Sequence, residues 1–147
     1  MASETSVRVC VRVRPLIPKE RLEDEHLAVE TFDSQIKVAS QTFTFDHVFG
    51  LDSGQEDIWP CVTPLVDSVF EGYNATIFAY GQTGSGKTFT MGSGNSAFVS
   101  NPDERGIIPR VLQEMFARIA AKTADGRGYR TELKLRFLEI YGEEIRD

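Results

Sequence analysis

Ala75-Thr76-Ile77-Phe78-Ala79-Tyr80 is nearly continuously apolar and β-favouring, and it runs without a break into Gly81-Gln82-Thr83-Gly84-Ser85-Gly86-Lys87-Thr88. A chain with that junction has few folds open to it. The apolar run suits a strand covered on both faces, as in a parallel sheet whose faces are packed with helices. The glycine-rich string fits G-x-x-x-x-G-K-[ST], and a preceding strand with a following helix is the setting in which that pattern holds phosphate. From average residue usage, a chance match in a chain of this length arises on the order of 1% of the time, so the string is treated as a site.

Each fixed residue type in the string has a chemical task. Glycines admit backbone conformations closed to other residues and let successive N–H groups converge on phosphate oxygens, aided by the positive end of the next helix. Lys87 is placed to reach β- and γ-phosphates, and the Thr88 hydroxyl to ligate the Mg²⁺ that bridges them. The loop alone does not separate ATPases from GTPases, nucleotide kinases or transporters.

The rest of the chain reads as α/β. Val7, Val9, Val11 and Val13 alternate with Arg8, Cys10, Arg12 and Arg14, which predicts a strand ended by Pro15. Short β-favouring pieces between residues 28 and 49 predict a small antiparallel lobe. Ser53 and Glu56 have capping-box spacing ahead of Ile58, Val62, Leu65, Val66, Val69 and Phe70 at helical intervals, with a kink or irregular first turn expected at Pro60 and Pro64. Gly92-Ser93-Gly94-Asn95-Ser96 interrupts the helix after the loop as a surface insertion, and Pro109 opens a second pattern through Val111, Leu112, Met115, Phe116 and Ile119. Leu133, Leu135 and Phe137 alternate until Leu138 and Ile140 switch parity, which predicts a strand with a bulge or a change of burial. No repeat or linker divides the chain, so residues 1–147 are read as one unit.

Composition narrows the class further. A net charge of -6 argues against a nucleic-acid surface, which needs clustered Lys and Arg. No run approaches the roughly 18 apolar residues of a membrane span, and the N-terminus has no secretory pattern, so a soluble intracellular protein is expected. Cys10 and Cys61 have neither metal-ligand nor disulfide-framework spacing and read as reduced packing residues. Three weaker matches are set aside: the loose dinucleotide pattern Gly92-x-Gly94-x-x-Ala97 lacks a preceding strand, the glycosylation sequon Asn74-Ala75-Thr76 opens a predicted buried strand, and Glu139, which could pass for the acid that holds Mg²⁺ in many phosphate-loop enzymes, reads as a turn residue at a strand end.

The extended string from Gly72-Tyr73-Asn74 through Thr88 strongly resembles the kinesin motor family. The likeness continues, in family order, through Val11-Arg12-Val13-Arg14-Pro15, Phe45-Asp46-His47-Val48-Phe49, Gly106-Ile107-Ile108-Pro109-Arg110 and the stretch 137–147, so it covers essentially the whole chain. Thr83-Gly84-Ser85-Gly86 and Pro64-Leu65-Val66 lean towards a chromokinesin-like branch. The resemblance implies a P-loop NTPase with a mixed central sheet flanked by helices, hydrolysing ATP with Mg²⁺ and working on microtubules in the cytoplasmic cytoskeleton.

It also implies roles for single residues. Gly81, Gln82, Thr83, Gly84, Ser85, Gly86, Lys87 and Thr88 would form the ATP loop, with Thr88 on Mg²⁺. Arg12, Arg14 and Pro15 match the segment bordering adenine, where a guanidinium can stack on a base. Phe89 stands where many kinesins carry a histidine against the nucleotide, and Gly142 replaces the asparagine of the family's Tyr-Asn-Glu-Glu segment. On residue pattern alone, Arg12 and Arg14 read instead as the solvated face of an edge strand. The family's Ser-Arg-Ser-His and Asp-Leu-Ala-Gly switches do not occur in these 147 residues, so no catalytic residue is assigned. The expectation is the N-terminal, nucleotide-binding part of a motor, with tubulin contacts beyond residue 147 and no nucleic-acid or membrane partner. The alternatives are a nucleotide-binding or regulatory fragment without motor activity, and a GTPase, whose Asn-Lys-x-Asp motif does not occur here.

Overall fold

The computed structural model describes residues 7–23, 26–92, 101–124 and 130–146. They fall into two compact units, Met1–Val111 and Leu112–Asp147. The insertion 93–100, with the loose dinucleotide pattern, lies outside the described residues, as does the N-terminal stretch 1–6.

In the first unit, β1 (Cys10–Arg12) runs parallel to β5 (His47–Phe49) with Cys10 opposite His47 and Arg12 opposite Phe49. The Asp46 carboxylate accepts from the Val9 amide at 2.7 Å, and the Val13 amide donates to the Phe49 carbonyl at 2.8 Å, bracketing the short ladder. The strand expected from Val7 is therefore shorter, because only its middle meets a neighbour; Val7 stands 87% exposed. A six-residue helix, α1 (Pro18–Glu23), follows. Strands β2 (Val29–Phe32), β3 (Gln35–Val38) and β4 (Gln41–Thr44) form the antiparallel lobe, with Ile36 buried. Its expected last piece, β5, leaves the lobe to join β1.

Helix α2 (Gln55–Phe70) buries Gln55, Ile58, Val62 and Val66 in one stripe at helical spacing. Its N-cap is Gly54, whose amide donates to Asp57 at 2.7 Å, so the cap falls one residue later than the Ser53–Glu56 spacing predicts. The helix also continues through Pro60 and Pro64. Both prolines are exposed, so the carbonyls of Glu56 and Pro60 that lose their amide partners lie on the side water can reach. Gly72, at φ +97°, turns the chain out of the helix.

The run 75–80 makes no ladder among the described residues, contrary to the strand expected there. Parallel neighbours arrive through crossovers of a dozen residues or more, so a strand of this kind depends on partners distant in the chain. Phe78 and Tyr80 are left 82% and 90% exposed.

Helix α3 (Lys87–Met91) ends at Gly92, in a left-handed conformation. A Cβ on Gly92 would come within 2.8 Å of the Gly106 backbone, so this glycine permits the two ends of the insertion to meet. After a 3₁₀ turn (Pro102–Glu104), helix α4 (Ile107–Ala124) begins two residues before Pro109.

In the second unit, Leu112, Phe116 and Ile119 share an apolar pocket with Leu133 and Leu135. Among the described residues, the expected strand beginning at Leu133 pairs only at β6 (Glu139–Tyr141), in a hairpin with β7 (Glu144–Arg146). Gly142, at φ +62°, makes the hairpin turn. Asparagine is the other residue that enters this backbone region readily, which accounts for Gly142 standing at the family's Asn position.

Candidate functional site

The loop 81–88 closes on itself. The Ser85 amide donates to the Gln82 carbonyl at 3.1 Å, and the Lys87 ammonium reaches back to the carbonyls of Gly81 at 2.7 Å and Gln82 at 2.8 Å. Gly86 caps α3 at φ +101°, a conformation closed to most side chains. The first intrahelical bond runs from the Thr90 amide to the Gly86 carbonyl, so the amides of Lys87, Thr88 and Phe89 precede the ladder.

A cavity of about 560 Å³ joins this loop to the start of the chain. Arg12, Arg14 and Pro15 line it together with Gly81, Ser85, Gly86, Lys87 and Phe89. Gln82, Thr83, Gly84 and Thr88 are outside its lining, with the Thr88 side chain exposed at the first turn of α3.

Arg12 is held from three sides. One terminal nitrogen donates to Gln55 Oε1 at 3.2 Å and Thr90 Oγ1 at 3.1 Å, and the other to the Ser53 carbonyl at 2.9 Å. Its guanidinium lies 5.0 Å from the Phe89 ring centre, within cation–π range. Burial pushes its pKa down, with the Asp57 charge opposing. This is not the solvated strand face that residue pattern alone suggests.

Arg14 makes a two-pronged pair with Glu20 at 2.6 and 2.5 Å, and donates to its neighbour's carbonyl at Pro15. The Arg14 hydrogen bonds, and then the Ile17 amide at 3.0 Å, pull the Glu20 carboxyl down to about 2. The same pair raises the Arg14 pKa.

Cys10 and Cys61 are both free and both line the cavity. Cys10 is exposed as a residue, but the partial desolvation of its thiol, and then the charge and hydrogen bond of the Cys61 thiol, push it up to about 11.

Gln55 and Glu20 went unread in the sequence. A glutamine at a helix start and a glutamate in a charged helix both look like solvated surface, and no local pattern distinguishes them.

The α/β arrangement and this loop define the class of P-loop nucleotide-triphosphatase folds. The profile of the kinesin motor domain family matches residues 4–147. The human Kinesin-like protein KIF27 is 43% identical over 98% of this chain, and Kinesin-related protein 8 of Dictyostelium discoideum is 48% identical over 96% of it. The solved structure of a fast kinesin aligns with a TM-score of 0.70 at 37% identity over 79% of this chain. This chain belongs to the kinesin motor domain family. It spans 10% and 8% of the lengths of those two relatives and 34% of the solved chain. Among the described residues no helix is long and apolar enough to cross a membrane.

Proposed function

We propose that this chain is the ATP-binding part of a microtubule motor, whose full-length protein couples ATP hydrolysis to microtubule-based movement in the cytoplasm. The observation that carries the proposal is the cavity in which Lys87 of the phosphate-loop pattern and Phe89 meet Arg12, Arg14 and Pro15. A polyphosphate and a flat base have matching surfaces in that one space.

In this reading the Lys87 ammonium exchanges its two carbonyl partners for β- and γ-phosphate oxygens, and the α3 amides ahead of the helical ladder complete the cradle. Phe89, Pro15 and the planar guanidiniums offer stacking surfaces to adenine. The Thr88 hydroxyl, exposed at the first turn of α3, fits the oxygen-donor chemistry of Mg²⁺. Mg²⁺, when bound there, neutralises phosphate charge.

The 147 residues alone are proposed to be inactive in hydrolysis. Positioning a water and stabilising charge at the γ-phosphate takes groups beyond this loop, and the two switch motifs are absent from the sequence. The test is Lys87→Ala in the full-length protein, with equilibrium ATP binding and microtubule-stimulated phosphate release measured together. Severe loss of both is expected, and turnover near that of the parent would refute the loop assignment.

A further inference from the structure

Gln55 is the polar residue found buried among the described residues, at 5% exposure, and both ends of its amide are used. Its oxygen accepts from Arg12 at 3.2 Å and its nitrogen donates to the Phe89 carbonyl at 2.7 Å. It therefore ties three elements together at the first turn of α2: the strand carrying Arg12, α2 itself, and α3 carrying Phe89. The two residues it grips are the stacked pair, with the guanidinium 5.0 Å from the ring centre.

The chemistry asks for an amide of this length. Glutamate would keep an acceptor for Arg12 but lose the donor and set a carboxylate against the Phe89 carbonyl. Methionine would fill similar space with neither group, leaving the half-buried Phe89 carbonyl without its Gln55 donor. Because Arg12 and Phe89 both line the cavity, the amide fixes where a flat ligand meets them, although it is not itself part of the lining.

We propose that Gln55 is a positioning residue for base recognition, holding Arg12 and Phe89 in register so that the site discriminates a nucleotide from a bare polyphosphate. This rests on the nucleotide reading of the cavity. Preorganisation of this kind acts on the part of the ligand that touches the held groups, so its loss falls on the base and spares the phosphates.

The experiment measures dissociation constants for ATP and for inorganic tripolyphosphate in the full-length protein, with Gln55→Met, Gln55→Glu and Lys87→Ala. Gln55→Met is expected to weaken ATP about tenfold, the scale of one base-stacking contact, while tripolyphosphate changes less than about twofold. Gln55→Glu, which retains an acceptor for Arg12 but loses the donor to the Phe89 carbonyl, is expected to show the same selectivity at about threefold. Equal losses for both ligands in either Gln55 variant, or no loss for ATP, overturn the proposal and leave Gln55 a packing residue. Lys87→Ala is the separate control. If it leaves both ligands bound as in the parent, the phosphate-loop reading itself falls, whatever Gln55 does.

Discussion

The Arg12 guanidinium sits over the Phe89 ring, 5.0 Å from its centre, and so joins the first strand of the chain to the helix that follows the phosphate loop. The contact sits where many kinesins carry a histidine. Phe89 is 51% exposed, so the ring keeps open surface as well as its contact with Arg12.

Phe89→Ala is therefore expected to weaken ATP about tenfold in the full-length protein, because stacking on an aromatic side chain is worth roughly 1–3 kcal/mol per base. Phe89→His should retain most of the affinity, since another flat ring replaces the first. Titration calorimetry with ATP reads both variants. An alanine variant binding ATP as tightly as the parent would show that the base docks elsewhere.

Glu20 supplies a pH signature. Its carboxyl titrates at about 2 in the folded chain against an ordinary value of 4.5. A depressed carboxylate stabilises the fold fully above its unfolded value, and the contribution is lost as pH falls through the folded one. The sensitive window is thus about pH 4.5 down to 2. Carbon-detected titration of the Glu20 carboxyl should show it ionised at pH 4, and Arg14→Ala should return its midpoint towards the ordinary value. A midpoint near 4.5 in the unmutated protein would show that Arg14 is free rather than paired.

Cys10 shifts the opposite way, from 9.0 to about 11. Here the folded form holds its proton more tightly, so the contribution to stability is present below pH 9 and is lost as pH rises through about 11. At pH 8 the thiolate fraction falls about a hundredfold relative to an ordinary cysteine, partly offset by the greater nucleophilicity of a more basic sulfur, for a net slowing of about tenfold. Alkylation by iodoacetamide, followed residue by residue by mass spectrometry, should find Cys10 slower in the folded protein than in urea. Equal rates would show that neither desolvation nor the neighbouring Cys61 holds the Cys10 thiol protonated in the fold.

The legible parts of this chain were local. The phosphate loop declares itself because its glycines, Lys87 and Thr88 lie within eight consecutive positions, and the stripe of Ile58, Val62 and Val66 follows from helical period. Gly92 and the end of α3 were visible for the same reason. What sequence reasoning missed depends on partners far along the chain. The departure of β5 to join β1, the grip of Gln55 on Arg12 and Phe89, and the Arg14–Glu20 pair all arise from tertiary placement. That α2 runs on through Pro60 and Pro64 depends on which face they occupy, and their exposure is a property of the packed helix.

Residues 1–147 purified by themselves are expected to show no microtubule-stimulated ATP hydrolysis above background and no sharp thermal transition. The run 75–80 leads into the phosphate loop and makes no ladder among the described residues. Phe78 and Tyr80 stand 82% and 90% exposed there, and Leu135 and Phe137 stand 76% exposed further along. Backbone amides that lack a partner, beside apolar side chains in water, favour a loosely packed or associating state over a cooperative fold. The loop at the end of that run would then fluctuate with it, and a phosphate cradle that moves cannot hold a reacting group in line. Three measurements check this together: phosphate release with and without microtubules, a calorimetric melt, and binding of a hydrophobic dye. A single cooperative melt with stimulated hydrolysis would overturn the expectation and place the missing chemistry within these residues, with Glu139 the first to mutate.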